Sequence, residues 1–281
     1  MKIALISLSR EGADLLRSLG ASFLGSRLFL HEAVPRASRA QRFTSIIDLT
    51  REIFHEFDGL VYAAPCGVVV RAISPNLRDK RTDPAVVVVD AGGRFAISLV
   101  SGHEGGANAL AIRVSNLLGA EPVITTTTEA LKPIIVGVGC RRETEAFQIV
   151  TAVKEALRQA GADLSQVRLL ASADVKADEK GLAQAATEMG IPLRFIRSEE
   201  IRTSAKTFAR SSFVEKKVNL PAVAEPAALL AGRRTRLILP KTTYRGVTVA
   251  VARESFSWSE SDPEAPSIGP AAPKKRSPVA R

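Results

Sequence analysis

Residues 101–108 read SGHEGGAN and bring together groups that acid/base chemistry needs. His103 is one of only three histidines in the chain, and imidazole is the side chain that moves protons readily near neutral pH. Glu104 stands next to it, able to orient it or to act as a partner base. Ser101, Gly102, Gly105, Gly106 and Asn108 complete the turn. A Gly-rich turn at a helix N-terminus presents backbone N–H groups and the positive end of the helix dipole, so it favours an anion such as a carboxylate or phosphate. The spacing is G-x-x-G-G rather than GxGxxG or GxxxxGK[ST], so it does not point to a nucleotide. A metal site is not indicated, because His31 and His55 lie in unrelated contexts and no Cys or His recurs at ligand spacing. Two readings stay open from the residues: an acid/base and oxyanion site, or a tight turn with a helix cap.

Three more loops carry charge. RDKRTDP, residues 78–84, clusters Asp79 and Lys80 with other charges. It precedes a strand, so it is expected at the end of the sheet opposite the carboxyl ends where α/β proteins bind ligands, unless it folds over. GVGCRRE, residues 137–143, is a strand-to-helix turn with Arg141 and Arg142, whose guanidinium forks suit carboxylates. Cys140 beside them reads as a small buried residue. DVKADE places Lys176 and Glu179 after a strand, and Lys241 follows a strand that is expected to end at Pro240. For each of these the competing reading is a solvated, charged turn.

The elements that must position these loops alternate. IALIS, GLVYAA and AVVVVD read as strands, the last as one covered on both faces. Ser9 caps a helix with Leu15, Leu16 and Leu19 on one face. After SGHEGG, a helix puts Ala107, Leu110, Ala111, Val114, Leu117 and Leu118 on one stripe. The pattern restarts with IIVGVG, a long helix ended by Gly161, VRLLAS, a helix through Met189, PLRFIR, a helix over VAEPAALLAG, and the strands RLILP and VTVAVARE. This predicts an α/β fold: two α/β domains, 1–130 and 131–256, with largely parallel sheets flanked by helices. Residues 257–281, rich in Pro, Ala and Ser, are expected to be a disordered tail.

Composition narrows the partners. The net charge is +10, and the excess is +8 in residues 131–256 against +1 in residues 1–130. A basic half suggests an anionic partner. Nucleic acid is not expected, since aromatics make up 5% and no recognition motif is visible. A membrane span is not expected, because GLVYAAPCGVVV is the longest uncharged run and falls well short of about 18–20 residues. Two distant cysteines and no visible signal peptide suggest the cytoplasm.

Taken together, GVVVRAI, RDKRTDPAVVVVD, SGHEGGANALA and PVITTTTE in the first half, followed by GVGCRRE, DVKADEKGL, PAVAEPAAL and PKTTYRGVTVAVAR, resemble the cobalt-precorrin-5A hydrolase family of the anaerobic cobalamin pathway. The resemblance covers residues 57–129 and 133–253. Many relatives carry an extra middle segment, so the chain reads as a short form. Thr127 and Glu129 stand where the family more often has Ala and Asp, and Glu143 stands where Gly is common. The second half also resembles a small stand-alone protein of the aerobic pathway.

The resemblance implies a hydrolase acting on a carbon–carbon bond. It would open the ring-A acetate δ-lactone of cobalt-precorrin-5A and release acetaldehyde, giving cobalt-precorrin-5B. It implies catalytic roles for His103, Glu104 and Lys80. It implies substrate contacts from Ser101, Gly102, Gly105, Gly106, Asn108, Asp79, Arg141, Arg142, Lys176, Glu179 and Lys241. No cofactor is needed, since cobalt arrives within the substrate, an anionic corrinoid whose carboxylates suit the basic half. Contacts with other cobalamin-pathway enzymes and an oligomer stay open. The junction between the halves is where the pocket is expected. The alternative is a non-catalytic corrinoid carrier of the same pathway.

Overall fold

A run of five branched or small apolar residues, Ala85–Val89, forms a strand with every residue buried. It can do so only inside a sheet covered on both faces. A computed structural model describes residues 1–35, 40–209, 215 and 219–255; the expected tail at 257–281 lies outside them. The strand Ala85–Val89 is β5 of a seven-stranded sheet with the order β3-β2-β1-β4-β5-β6-β7. Its other strands are β1 (Ile3–Ser7), β2 (Arg27–His31), β3 (Ala40–Phe43), β4 (Gly59–Ala63), β6 (Phe95–Val100) and β7 (Glu121–Val123). The helices of this half are α1 (Arg10–Gly20), α2 (Ile46–Ile53), α3 (Cys66–Ile73), α4 (Ala107–Leu118) and the short α5 (Thr127–Ala130).

Ser9 caps α1 as expected, its side chain accepting the Gly12 N–H, and Leu16 and Leu19 are buried. Along α4, Leu110, Ala111 and Val114 face the core. Leu117 does not; it is 43% exposed, because the stripe drifts around the helix by its last turn. The sequence reading passed over β2, β3 and α2, which lie at one side of the sheet.

Two strands, β6 and β7, run against the others. β1 to β5 are mutually parallel, but β6 pairs antiparallel with β5, Val88 opposite Ile97. The turn between them is built on Asp90, whose carboxylate accepts the N–H groups of Gly92, Arg94 and Phe95. Burial alone would raise the Asp90 pKa; the bonds from Phe95 and Arg94 outweigh it and hold the carboxyl below its ordinary value. Val86 lies opposite Val100, so β6 ends beside the start of β5. The segment after β6 and the segment before β5 therefore meet at one end of the sheet.

The second sheet has the order β10-β9-β8-β12-β11. It contains β8 (Ile134–Gly139), β9 (Val167–Ala173), β10 (Leu193–Ile196), β11 (Thr235–Tyr244) and β12 (Val247–Glu254). Its helices are α6 (Ala146–Gln159), α7 (Lys180–Met189), α8 (Ser198–Thr203) and α9 (Ala224–Leu230). β8, β9 and β10 are parallel, and the β11–β12 hairpin joins antiparallel at β8. The strand expected to end at Pro240 runs on to Tyr244. Proline is tolerated there because β11 is an edge strand whose register shifts between Leu239 and Thr242.

The halves touch along α4, β7 and β10. The Asn116 side chain bonds both the Leu193 carbonyl and the Phe195 N–H, completing the edge of β10. Arg194 reaches across to Glu121. A cavity of about 170 Å³ lies at this junction, with Ile112, Ile124 and Leu169 among its walls and Glu129 at its rim.

Candidate active site at the end of β6

The reversal of β6 decides which predicted residues meet. SGHEGGAN leaves the carboxyl end of β6, and RDKRTDP enters the amino end of β5 from the same side. The ammonium of Lys80 lies 3.2 Å from the Glu104 carboxylate. RDKRTDP does lie at the amino end of β5, opposite the carboxyl ends of β1 to β5; SGHEGGAN joins it there because β6 runs antiparallel to β5. Asp83, buried, ties that loop down by accepting the Arg78 N–H, and Asp79 binds Arg81 within the same loop. The Arg81 bonds hold the Asp79 carboxyl below its ordinary value. Asp79 is thus committed to shaping its loop.

The turn itself is crowded. Ser101 adopts a left-handed backbone (φ 59°), which costs a non-glycine residue roughly 1 kcal/mol or more and is held only when its surroundings demand it. Its carbonyl accepts the Ala107 N–H, and the Gly102 carbonyl accepts the Asn108 N–H. Two donors of the first turn of α4 are therefore used inside the loop. Gly105 and Gly106 are different: among the described residues their N–H groups have no hydrogen-bond partner. The Ser101 hydroxyl is buried and likewise unpartnered. Asn108 is buried and braces the loop, accepting the Ser98 hydroxyl and donating to Thr126. A side chain at Gly102 would strike Thr126 at 2.5 Å.

His103 projects to solvent, its side chain 64% exposed. The carboxylate facing it is not its neighbour Glu104 but Glu129 of α5, with Oε1 3.8 Å from Nδ1. Glu129 is buried and also accepts Lys132 Nζ at 2.9 Å. Sequence reasoning missed Glu129 and Lys132 as site residues; the only signal was Glu129's departure from the family pattern. The arrangement offers one exposed imidazole with a buried carboxylate behind it, two free N–H donors, and exposed cations at Lys80 and Arg81.

The remaining predicted residues lie elsewhere. Arg141 and Arg142 are exposed beyond the carboxyl end of β8, whereas Lys132 precedes its start. Six residues of strand separate the two groups by about 20 Å. Lys176 and Glu179 share the far end, but they are bound to each other at 3.2 Å with side chains only 12% and 9% exposed. Glu179 also accepts the Glu143 N–H. The pair therefore clasps the β8–α6 turn to the β9–α7 turn. Lys241 lies within β11; its N–H bonds Glu225 and its ammonium bonds the Ala209 carbonyl. Burial pushes the Cys140 thiol up, which keeps it protonated near neutral pH. An open pocket of about 700 Å³ beside α6 and α7 is rimmed by Glu143, Glu145, Asp178 and Glu188 as well as Arg142 and Lys180.

Lys176→Ala should strip a buried carboxylate of its counter-ion and destabilise the fold by about 3–5 kcal/mol. Urea unfolding measures this. Unchanged stability with weakened substrate binding would instead make Lys176 a substrate ligand.

Known proteins place the chain. Residues 48–129 match the family profile described as "Cobalamin synthesis G N-terminal", and residues 134–252 match "Cobalamin synthesis G C-terminus". The chain belongs to the cobalt-precorrin-5A hydrolase family. It is 25% identical to the "Cobalt-precorrin-5A hydrolase" of Priestia megaterium, an alignment covering 89% of this chain and 94% of the relative. It is also 25% identical to the protein of that name in Salmonella typhimurium, covering 89% and 97%. Those alignments run over 352 and 341 positions, more than the 281 residues of this chain, so both relatives of the hydrolase family carry sequence that it lacks. "Protein CobE" of Sinorhizobium sp is 34% identical over 45% of this chain and 83% of the relative. Among the described residues, no helix of this family member is long and apolar enough to cross a membrane.

Proposed function

We propose that the chain hydrolyses the ring-A acetate δ-lactone of cobalt-precorrin-5A and releases the two-carbon fragment as acetaldehyde, leaving cobalt-precorrin-5B. The single observation that carries the site assignment is the exposed His103 beside two unpartnered N–H donors, in a chain of the hydrolase family. Cobalt enters as part of the substrate.

The residues supply the steps as follows. The His103 imidazole takes a proton from water as it attacks the lactone carbonyl. The N–H groups of Gly105 and Gly106 bond the oxyanion that develops on that carbonyl. Collapse expels the ring oxygen, which takes a proton and becomes the free alcohol, and leaves a carboxylate. Removal of the alcohol proton then forms the C=O of acetaldehyde while the carbon–carbon bond to the macrocycle breaks. The bond's electrons pass into the conjugated ring, which takes up a proton. Glu104, held by Lys80, stands within the same turn to relay protons at the rim.

The junction cavity, at about 170 Å³, is below the roughly 300–1,000 Å³ of ordinary ligand pockets. The macrocycle instead lies against the outer face of the loops. There Leu77 and Leu131, 41% and 66% exposed, meet its apolar faces, and Lys80 and Arg81 meet its carboxylates. Arg141 and Arg142 are too far along β8 to share the reacting carbon; their role is to attract the polyanion.

Anaerobic incubation with the lactone separates this reading from a carrier. A hydrolase consumes the lactone with release of acetaldehyde, and a carrier returns it unchanged.

A further inference from the structure

Two buried carboxylates at the site have no role in the chemistry above; Asp83 is taken up by the Arg78 N–H, and Glu129 faces the imidazole. Glu129 is 7% exposed and sits near the end of α5, where its N–H bonds the Thr126 carbonyl. That anchors it beside the same Thr126 whose hydroxyl receives Asn108. One end of the anchoring is thus in the SGHEGGAN turn and the other in α5. The charged groups around His103 are Glu129 and Lys132 from the α5 segment, Glu104 on its own loop, and Lys80 from the loop before β5. Each carboxylate has its lysine, Glu104 with Lys80 and Glu129 with Lys132, and it is Glu129 whose Oε1 comes within 4 Å of the ring.

The separation of 3.8 Å from Nδ1 is longer than a hydrogen bond. A small rotation of an exposed imidazole closes it, and contacts of this kind tighten when substrate binds. The consequence is chemical. A neutral imidazole carries one proton on either nitrogen, and the hydrogen bond made by one nitrogen decides the state of the other. We propose that Glu129 is the positioning residue of His103: it accepts the Nδ1 proton, leaves Nε2 unprotonated toward the substrate, and stabilises the imidazolium formed when Nε2 takes a proton. Glu129 keeps its charge throughout, and the proton on Nε2 is returned to the leaving oxygen. Lys132 balances the buried carboxylate when the ring is neutral. The catalytic consequence rests on the hydrolase reading; the tautomer does not.

The test is nitrogen-15 NMR of the histidine rings in the full chain without substrate, at a pH where the rings are neutral, with His55→Gln simplifying the assignment. His31 is an internal reference, since its Nδ1 accepts the Ala33 N–H and its Nε2 faces the Thr44 carbonyl at 3.0 Å, which requires the proton on Nε2. His103 is expected to show the opposite pattern, with the proton on Nδ1. Glu129→Gln is expected to abolish that preference, and Glu129→Asp to keep part of it. In turnover, Glu129→Gln is expected to lower kcat at least about tenfold with KM little changed, and Glu129→Asp to recover much of it. A wild-type His103 with its proton on Nε2, or a tautomer unmoved by Glu129→Gln, overturns the proposal; the wild-type spectrum decides even if the Gln variant fails to fold. A chain with the Nδ1 proton but no acetaldehyde release loses the function and keeps the positioning.

Discussion

His103→Ala is expected to lower the rate of acetaldehyde release by about 10²–10⁴-fold, the usual worth of a general base. The fold should be unaffected, because the ring is 64% exposed and makes no hydrogen bond among the described residues. KM should move little, since the cations and apolar residues proposed to hold the macrocycle are other side chains. A steady-state assay of kcat and KM on wild type and variant checks this. An unchanged kcat in a folded His103→Ala variant removes the base role and returns SGHEGGAN to a turn with a helix cap.

The second large effect is expected from a single methyl group. At Gly105, an added Cβ would lie 2.4 Å from the Ser101 Cβ, 3.0 Å from its carbonyl and 3.1 Å from the Asp83 carbonyl. Two of those three neighbours are backbone atoms and cannot swing aside. Gly105→Ala must displace the turn, and with it the proposed oxyanion donors. The expected loss in kcat is about 10²-fold or more, comparable to deleting an oxyanion donor. At Gly106, a Cβ meets nothing within 4 Å, and the only difficulty is the left-handed backbone (φ 84°). Gly106→Ala should therefore cost about 1 kcal/mol of stability while kcat falls far less than in Gly105→Ala. Kinetics of the two variants, alongside thermal unfolding, check the contrast. Equal losses in both would mean that the position of the Gly105 donor does not matter.

How much of this was legible in the sequence depends on how local each feature is. SGHEGGAN showed itself as a strand-to-helix turn because its glycines and flanking apolar patterns lie within one stretch. AVVVVD showed itself as a buried strand for the same reason. The meeting of SGHEGGAN with RDKRTDP was less visible, yet its cause was present: a connection as short as Asp90–Arg94 can only join antiparallel strands. The expectation of largely parallel sheets, which holds, left the direction of this one strand unstated. Lys176 and Glu179 follow a strand as expected, but their pairing was not legible, because burial of a charged pair depends on how two neighbouring turns pack, and nothing in DVKADE announces it. Lys241 was misplaced because a proline marked a strand end that an edge strand had no need to respect. Glu129 drew attention only as a departure from the family pattern, because it lies on a four-residue helix with no periodic pattern, 26 positions after the histidine it faces.

The same locality explains the division of the predicted site residues. Motifs shared with a family travel together in sequence, but β8 holds the first-half loops and the arginines after Gly139 at opposite ends. A shared motif set therefore spans loops that cannot all meet at one reacting atom. Ser101, Gly102 and Asn108 make the contacts that shape the turn, and Lys176 and Glu179 those that join two turns of the second sheet.

The central claim is that this chain opens a lactone with water at the SGHEGGAN turn. The most direct measurement is a single turnover of cobalt-precorrin-5A in oxygen-18 water under anaerobic conditions, with acetaldehyde trapped and the corrinoid product analysed by mass spectrometry. One acetaldehyde per lactone consumed and one oxygen-18 atom in the new ring-A carboxylate are expected. Recovery of unlabelled, intact lactone with no acetaldehyde would contradict the central claim.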